Sequence, residues 1–286
     1  MIISRISGGL GNQMFQYAIA RSMAVKNNDV FKLDISFYPK QTLRKYELNC
    51  FKINEKIAIE KECVLLRGKE GLLFKIVKKL NLPLNHPISY IKEKENATFC
   101  EEVFNTKGNI YLDGFWQNAQ YFQGIREELI KDFTPTTDVS IEASNYLNDI
   151  KKSTSISLHV RRGDYIANSN AHSVHGVCDL EYYKKAINYI VNTVTNPIFY
   201  IFSDDITWCK KKFDFVDNKI FVDTTKNAID DLELMKNCKH NIIANSTFSW
   251  WGAWLNENSY KIVIAPSVWW IAKGDKNIAL SDWIKI

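Results

Sequence analysis

The chain has 286 residues, of which 46% are hydrophobic and 24% charged, and 37 Lys and Arg against 32 Asp and Glu leave a net charge of +5. These are ordinary globular values, and they exclude disordered, collagen-like and low-complexity classes. The length suits one large domain or two small ones, with two favoured. So mild a positive excess suits an anionic small molecule or a membrane surface and is too small to argue for nucleic acid. No apolar run approaches the ~20 residues of a membrane span. The opening MIISRISGGLGN reads as neither signal peptide nor anchor, so a cytoplasmic protein is expected. Cys50, Cys63, Cys100, Cys178, Cys209 and Cys238 are scattered along a chain too large to need stapling, and reduced thiols are expected. Six of the eight Trp fall after residue 249, which suggests a dense aromatic core in the C-terminal part, beside a sugar or base site.

In chain order, residues 2–6 read as a short strand, Gly8 to Gly11 as a turn, the stretch from Asn12 to Asn27 as a helix and residues 30–35 as a second strand. That is the opening of a βαβ unit with a parallel sheet. Residues 71–80 read as a basic amphipathic helix, with Leu73, Ile76, Val77 and Leu80 on one stripe, Lys75, Lys78 and Lys79 off it, and Pro83 and Pro87 beyond. A strand is expected over 109–116 and helices over 119–132 and 141–152. The domain boundary is placed at 150/151. Beyond it the alternation restarts: strands over 155–160, 197–205, 219–224, near 240 and over 261–266, helices over 179–194 and 229–238, and a helix beginning near Trp250. Polar residues gather after the strands' carboxyl ends, the edge where open α/β sheets bind ligands.

Four clusters carry chemistry. In Gly8-Gly9-Leu10-Gly11-Asn12-Gln13, glycines between strand and helix allow close backbone approach to an anion. Met14 stands where the dinucleotide fingerprint needs its third glycine, and no P-loop Lys-Ser/Thr follows. The bland alternative is a tight turn. In His159-Val160-Arg161-Arg162-Gly163-Asp164-Tyr165, two arginines at a strand end suit an anion, because the guanidinium fork matches phosphate. The alternative is an internal pair of Arg161 or Arg162 with Asp164. Ser203-Asp204-Asp205 follows a strand, where a carboxylate accepts from a ribose hydroxyl or a base edge, or caps the next helix. Asn245-Ser246-Thr247-Phe248-Ser249 precedes a helix and offers hydroxyls and helix N–H groups to a second anion cradle, or merely a cap over a Trp-rich core.

His172, His175 and Cys178 hint at zinc, but a structural site needs a second ligand pair, and Cys238 with His240 is the sole candidate. The helix over 71–80 reads first as an ordinary surface helix and second as a peripheral membrane contact.

Taken together, GGLGNQMFQYA (8–18), HVRRGDY (159–165), FSDD (202–205) and ANSTFSWWGAWL (244–255), with GFWQNAQYF (114–122), resemble glycosyltransferase family 11, the α-1,2-fucosyltransferases of bacteria and animals. The resemblance implies an α/β chain of the GT-B class: two Rossmann-like domains facing across a cleft, acceptor on residues 1–150 and GDP-fucose on residues 151–286. It implies inverting transfer of L-fucose from GDP-β-L-fucose to the 2-hydroxyl of a galactose-terminated oligosaccharide or lipid-linked acceptor, with no metal or cofactor. Without a metal, protein cations and N–H donors must meet the leaving diphosphate. By motif position, Arg161 meets the diphosphate and is counted with Asp164 as catalytic, Arg162 is among the donor-binding residues, His159 lies near the nucleotide, and Asp204 or Asp205 holds guanine or ribose. Ser246, Thr247 and Ser249 meet phosphates, and Gly9, Gly11 and Asn12 close over the donor. Asp164 is the candidate base and Asp34 its rival. Alternatives are another GDP-sugar transferase, an O-fucosyltransferase, or a binding protein using its Trp as a stacking surface. Acceptor choice is expected within residues 36–108. The short stretch after Trp254 suggests a last helix returning to the first domain.

Overall fold

The structure is a computed structural model that describes residues 1–68, 87–95, 97–163, 176–225, 227–271 and 276–286. The chain forms two compact units, Met1–Thr136 and Thr137–Ile286.

The first unit is built on four strands, β1 (Ile2–Arg5), β2 (Phe31–Asp34), β3 (Tyr90–Lys92) and β4 (Ile110–Asp113), all parallel in the order β2-β1-β4-β3. Helix α1 (Leu10–Asn27) follows β1 and is buried on nearly every side, with Met14, Phe15, Tyr17, Ala18 and Ile19 inaccessible. Such all-round burial makes it the unit's central helix rather than a surface one. It ends where Asn28 turns left-handed (φ 50°) and donates its N–H to Ala24 and Val25 carbonyls, a conformation Asn tolerates. Helices α2 (Glu60–Arg67), α3 (Glu101–Asn105) and α4 (Arg126–Asp132) complete the unit's described α-helices. The helix expected over 119–132 is two single 3₁₀ turns followed by α4. The break falls at Phe122, whose φ of −142° and ψ of 5° lie outside the helical region. The basic helix expected over 71–80 lies outside the described residues.

In the second unit, α5 (Ile141–Lys152) is capped by the Ser140 hydroxyl, which accepts from Ala143 N–H at 3.2 Å. The Ser140 N–H donates to Asp230 at 3.1 Å. These contacts fasten α5 to the second unit, and its first residue is therefore Thr137, ahead of the expected 150/151 division. Strands β5 (Thr154–Val160), β6 (Pro197–Ser203), β7 (Lys219–Phe221), β8 (His240–Ile242), β9 (Val263–Ala265) and β10 (Ile284–Lys285) form one parallel sheet, ordered β10-β9-β8-β5-β6-β7. Helix α6 (Leu180–Thr193) and α7 (Ile206–Lys212) join β5 to β6 and β6 to β7; α8 (Ala228–Asn237) and α9 (Thr247–Leu255) lead into and out of β8. Alternation along β5 sorts the core. Ile156, Leu158 and Val160 pack with Tyr183, Ala186 and Ile190 of α6. On the other face Tyr200 and Phe202 of β6 meet Ala143, Ile150, Leu234 and Met235.

The late tryptophans are core. Trp250, Trp251, Trp254, Trp269, Trp270 and Trp283 are all buried, and Trp250 meets Trp251 edge to face at 5.1 Å. A stacking surface for sugars is therefore not what these six rings make. The chain ends in β10, paired with β9, instead of a helix returning to the first unit. Both this strand and β3 escape a sequence reading because they are two or three residues long and lie at sheet edges.

Candidate active site

From β5 the chain proceeds to β6 and β7 on one side, and from β8 to β9 and β10 on the other. The strand order therefore reverses between β5 and β8. In an open parallel sheet the loops leaving two such strands part to opposite faces and open a crevice at their carboxyl ends. The two loops here are the RRG segment after β5 and the NSTF segment after β8.

The RRG loop is held from the next strand. Asp204, just beyond β6, accepts the Arg162 N–H through Oδ1 at 2.9 Å, while its Oδ2 lies 3.0 Å from Arg161 Nη1. Gly163 is the space for this clasp: a Cβ there would stand 2.7 Å from Asp204 Oδ2. The Arg162 guanidinium lies 3.7 Å over the Trp208 ring, with Asp205 Oδ2 3.6 Å from its Nε. Asp205 also caps α7, accepting from Trp208 N–H at 3.1 Å. Both aspartates expected to hold guanine or ribose thus have partners inside the chain, and the internal Arg–Asp pairing runs to Asp204 and Asp205. Asp164 lies outside the described residues.

Helix α9 starts at Thr247, three residues before the expected start. Ser246 is its N-cap residue yet makes no side-chain cap bond. Ser249 is buried within the first turn and its hydroxyl turns back to the Ser246 carbonyl at 3.3 Å. Asn245 is buried, and its side chain donates to the carbonyls of Gly176 and Trp269 at 3.4 Å each. Beside it a pocket of about 400 Å³ opens, lined by Cys178, Tyr182, Pro266, Ile271 and Ile286 among others. His159, on β5, lies 6.1 Å from the Phe248 ring, so the two loops share a floor. The imidazole is 5% exposed, and its Nδ1 has no hydrogen-bond partner among the described residues. Burial, reinforced by the Arg161 charge, pushes it down to about 3, so His159 is neutral at physiological pH. A neutral ring, a positive loop and a helix start, whose N–H groups carry partial positive charge, form a setting for an anionic ligand.

In the first unit Gly8 takes φ 79° and Gly9 caps α1, its carbonyl accepting from Asn12 and Gln13 N–H. Gly11 is buried in the first helical turn, a departure from the expected loop position. Three amides tie this turn to its surroundings. Gln13 Nε2 donates to the Gly8 and Lys45 carbonyls at 3.1 and 2.8 Å, and its Oε1 accepts from Glu47 N–H. Gln16 accepts from Ser7 N–H and donates to the Gly114 carbonyl. Asn12 Oδ1 accepts from Gln117 Nε2 at 2.9 Å. Sequence reasoning placed Gln13 in the glycine cluster and Gln16 and Gln117 in the family segments, but gave none of the three a role of its own. Glutamines on an apolar helix carry no positional signal, although full burial of Gln13 and Gln16 shows their importance.

Asp34, the rival base, is a buried structural carboxylate. Burial opposes its ionisation, but hydrogen bonds from Tyr111 and Ser36 and the charge of Arg67 hold it below the usual range. Of the zinc candidates, His240 Nδ1 accepts from Ile262 N–H at 2.9 Å. His172 and His175 lie outside the described residues, and among the described residues no three His, Cys, Asp or Glu side chains group as metal ligands. All six cysteines are free thiols.

The whole chain, residues 1–286, matches the description "Glycosyl transferase family 11", and the protein belongs to that family as a glycosyltransferase. It is 38% identical to an alpha-1,2-colitosyltransferase of Escherichia coli, over 94% of this chain and 92% of that one. It is 35% identical to the Escherichia coli O-antigen biosynthesis glycosyltransferase WbnK, over 99% of both. A mouse galactoside 2-alpha-L-fucosyltransferase, Sec1, is 31% identical over 89% of this chain and 64% of its own length. Among solved structures, a NodZ alpha-1,6-fucosyltransferase soaked with GDP-fucose superposes with a TM-score of 0.50 at 13% identity, covering 89% of this chain and 91% of that one. That likeness concerns the fold, which is GT-B: two Rossmann-like α/β units, each on a parallel sheet. Among the described residues no helix is long and apolar enough to cross a membrane.

Proposed function

We propose that the protein is an inverting α-1,2-fucosyltransferase that moves L-fucose from GDP-β-L-fucose to the 2-hydroxyl of a β-galactoside during surface glycan synthesis, without a metal. The observation that carries this reading is the placement of Arg161 and Arg162 on the loop after β5 and of the start of α9 on the loop after β8, the two loops that flank the strand-order reversal, in a chain of this family. The leaving group is a nucleoside diphosphate. Its charge rises as the sugar–phosphate bond breaks, and preorganised cations and N–H donors stabilise that charge most in the transition state. Arg161 is assigned to the diphosphate, and Arg162, stacked on Trp208, stiffens the loop beside it. Ser246 and Thr247 are assigned to the phosphates at the start of α9, Ser246 through its hydroxyl because its N–H donates to the Ala244 carbonyl at 2.8 Å, while buried Ser249 shapes that turn. His159 supports the nucleotide as a neutral ring. Asp204 and Asp205 act by holding the arginines. Gly9, Gly11 and Asn12 are assigned to sugar contacts, and Asp164 to the base that takes the acceptor proton.

The match to a colitosyltransferase supports a second reading, in which the transferred sugar is colitose. Colitose lacks the 3-hydroxyl of fucose. A site that hydrogen-bonds this hydroxyl rejects the deoxy sugar strongly, whereas an apolar site rejects fucose only weakly. GDP release is measured with EDTA present, from GDP-fucose and GDP-colitose, against lacto-N-biose, N-acetyllactosamine, lactose and Gal-β1,3-GalNAc. Acceptor-dependent release from GDP-fucose supports the first reading and from GDP-colitose alone the second. Dependence on an added metal, or no release with tight GDP binding, overturns the metal-free transferase.

A further inference from the structure

The GFWQ segment after β4 is fixed more tightly than a connecting loop requires. Glu93, one residue beyond β3, accepts both the Phe115 N–H at 2.7 Å and the Trp116 N–H at 3.2 Å. A Cβ on Gly114 would stand 2.3 Å from the Glu93 Cβ, so glycine alone fits there. Gln16 grips the same turn from α1, donating to the Gly114 carbonyl at 3.0 Å. Trp116 is left-handed, with φ 55°, in a region costly for a bulky residue. Its ring is 1% exposed, and its Nε1 has no hydrogen-bond partner among the described residues. Strain of this kind persists only where surrounding contacts over-determine it, and it gathers at working sites.

What the strain delivers is the next residue. Gln117 is 6% exposed, and its Nε2 donates to Asn12 Oδ1 at 2.9 Å. An amide oxygen fixed on one side turns the NH2 to the other. The Asn12 Nδ2 accordingly lies over Gly8, where a Cβ would approach it to 2.8 Å. We propose that Gln117 is a positioning residue, held by the Glu93-bound turn, which orients the Asn12 amide so that its NH2 is presented as a donor over the glycine turn to an oxygen of the bound substrate. This rests on the reading of Asn12 as a sugar-contact residue. Gln117 itself touches Asn12 and is not a catalytic residue.

The test is a double-mutant cycle with Gln117→Glu and Asn12→Ala, using whichever GDP-sugar the wild type consumes. The isosteric carboxylate cannot donate, so the Asn12 amide must flip. Gln117→Glu is expected to lower kcat about tenfold with donor KM changed less than about threefold, and to cost nothing further in the Asn12→Ala background. An equal loss in both backgrounds, or none in either, overturns the proposal. Should Gln117→Glu fail to fold, Gln117→Met removes the donor without adding charge and is expected to show the same non-additivity. A readout independent of turnover is the Asn12 side-chain NH2 signal in a ¹⁵N-labelled sample, assigned by its loss in Asn12→Ala. It should shift in both Gln117 variants, and an unshifted signal overturns the contact. Wild-type failure with every GDP-sugar would defeat the proposed function, while the NH2 signal would still decide the positioning claim.

Discussion

Each unit closes one loop with a carboxylate from the neighbouring strand, and the two clasps differ in what they hold. In the first unit Glu93, after β3, holds the turn after β4 through two backbone N–H groups. In the second, Asp204, after β6, holds the turn after β5 through one N–H and one guanidinium. Both leave room by a glycine, Gly114 in one case and Gly163 in the other. The first clasp fixes a neutral amide, Gln117 on Asn12, and the second fixes cations. Neutral contacts set direction and are insensitive to salt, whereas a partly exposed guanidinium attracts an anion and is screened by salt. That division suits the proposed transfer, in which a neutral sugar leaves a charged diphosphate.

The largest effect should come from the cationic side. Arg161→Ala is expected to reduce GDP release from donor by at least about a hundredfold, the scale of losing one transition-state donor, with Tm little changed. Full activity in this variant would end the diphosphate role. Next come the paired glycine substitutions. Gly114→Ala must displace the Glu93 Cβ, which backbone and neighbours resist, and should cost about 2–3 kcal/mol of stability measured by denaturant midpoint. Gly163→Ala presses on the end of one side chain, the Asp204 carboxylate with Oδ2 at 2.7 Å and Cγ at 3.0 Å, which can swing away, so it should cost less than about 1 kcal/mol while lowering transfer by releasing Arg161. The reverse ranking would break the comparison.

Glu93→Gln keeps one acceptor of two. It should lower stability by about 1–2 kcal/mol through the unsatisfied N–H, and a Tm equal to wild type would show that the clasp is dispensable. The smallest effect is on pH dependence. Burial, with Asp230 alongside, pushes the Asp231 carboxyl up to about 6 despite a hydrogen bond from Thr225. The folded state therefore binds this proton more tightly than the unfolded chain. Its stabilising contribution is complete below the ordinary 3.8 and is lost as pH rises through about 6. Asp231→Asn should flatten Tm over that window and raise stability at pH 7.5 by about 1 kcal/mol. An unchanged Tm profile from pH 4 to 7.5 would reject the shift.

Much of the fold was legible because its signals are local. A strand, a glycine turn and a helix in succession announced the parallel unit at the N-terminus, and β5, α6 and β6 lie within a residue or two of their expected bounds. The motif HVRRGDY pointed to Arg161 and Arg162 through charge at a strand end. Its partners were not legible, since Asp164 is near in sequence while Asp204 and Asp205 are near through strand pairing: Val160 lies opposite Ser203. The late Trp enrichment was visible as an aromatic core, but whether those rings face a ligand depends on packing, and burial places them inside.

The sequence by itself determined the family, the parallel α/β class and the residues able to meet an anion, because glycine, arginine and hydroxyl clusters at strand ends carry chemistry in their identity. Tertiary structure alone decided which carboxylate grips which loop, why the strand order reverses between β5 and β8, and how Glu93, Trp116 and Gln117 converge on Asn12. Those are contacts between residues distant in the chain, and a hydrogen bond of 2.9 Å between Asn12 and Gln117 leaves no trace in residue type or spacing.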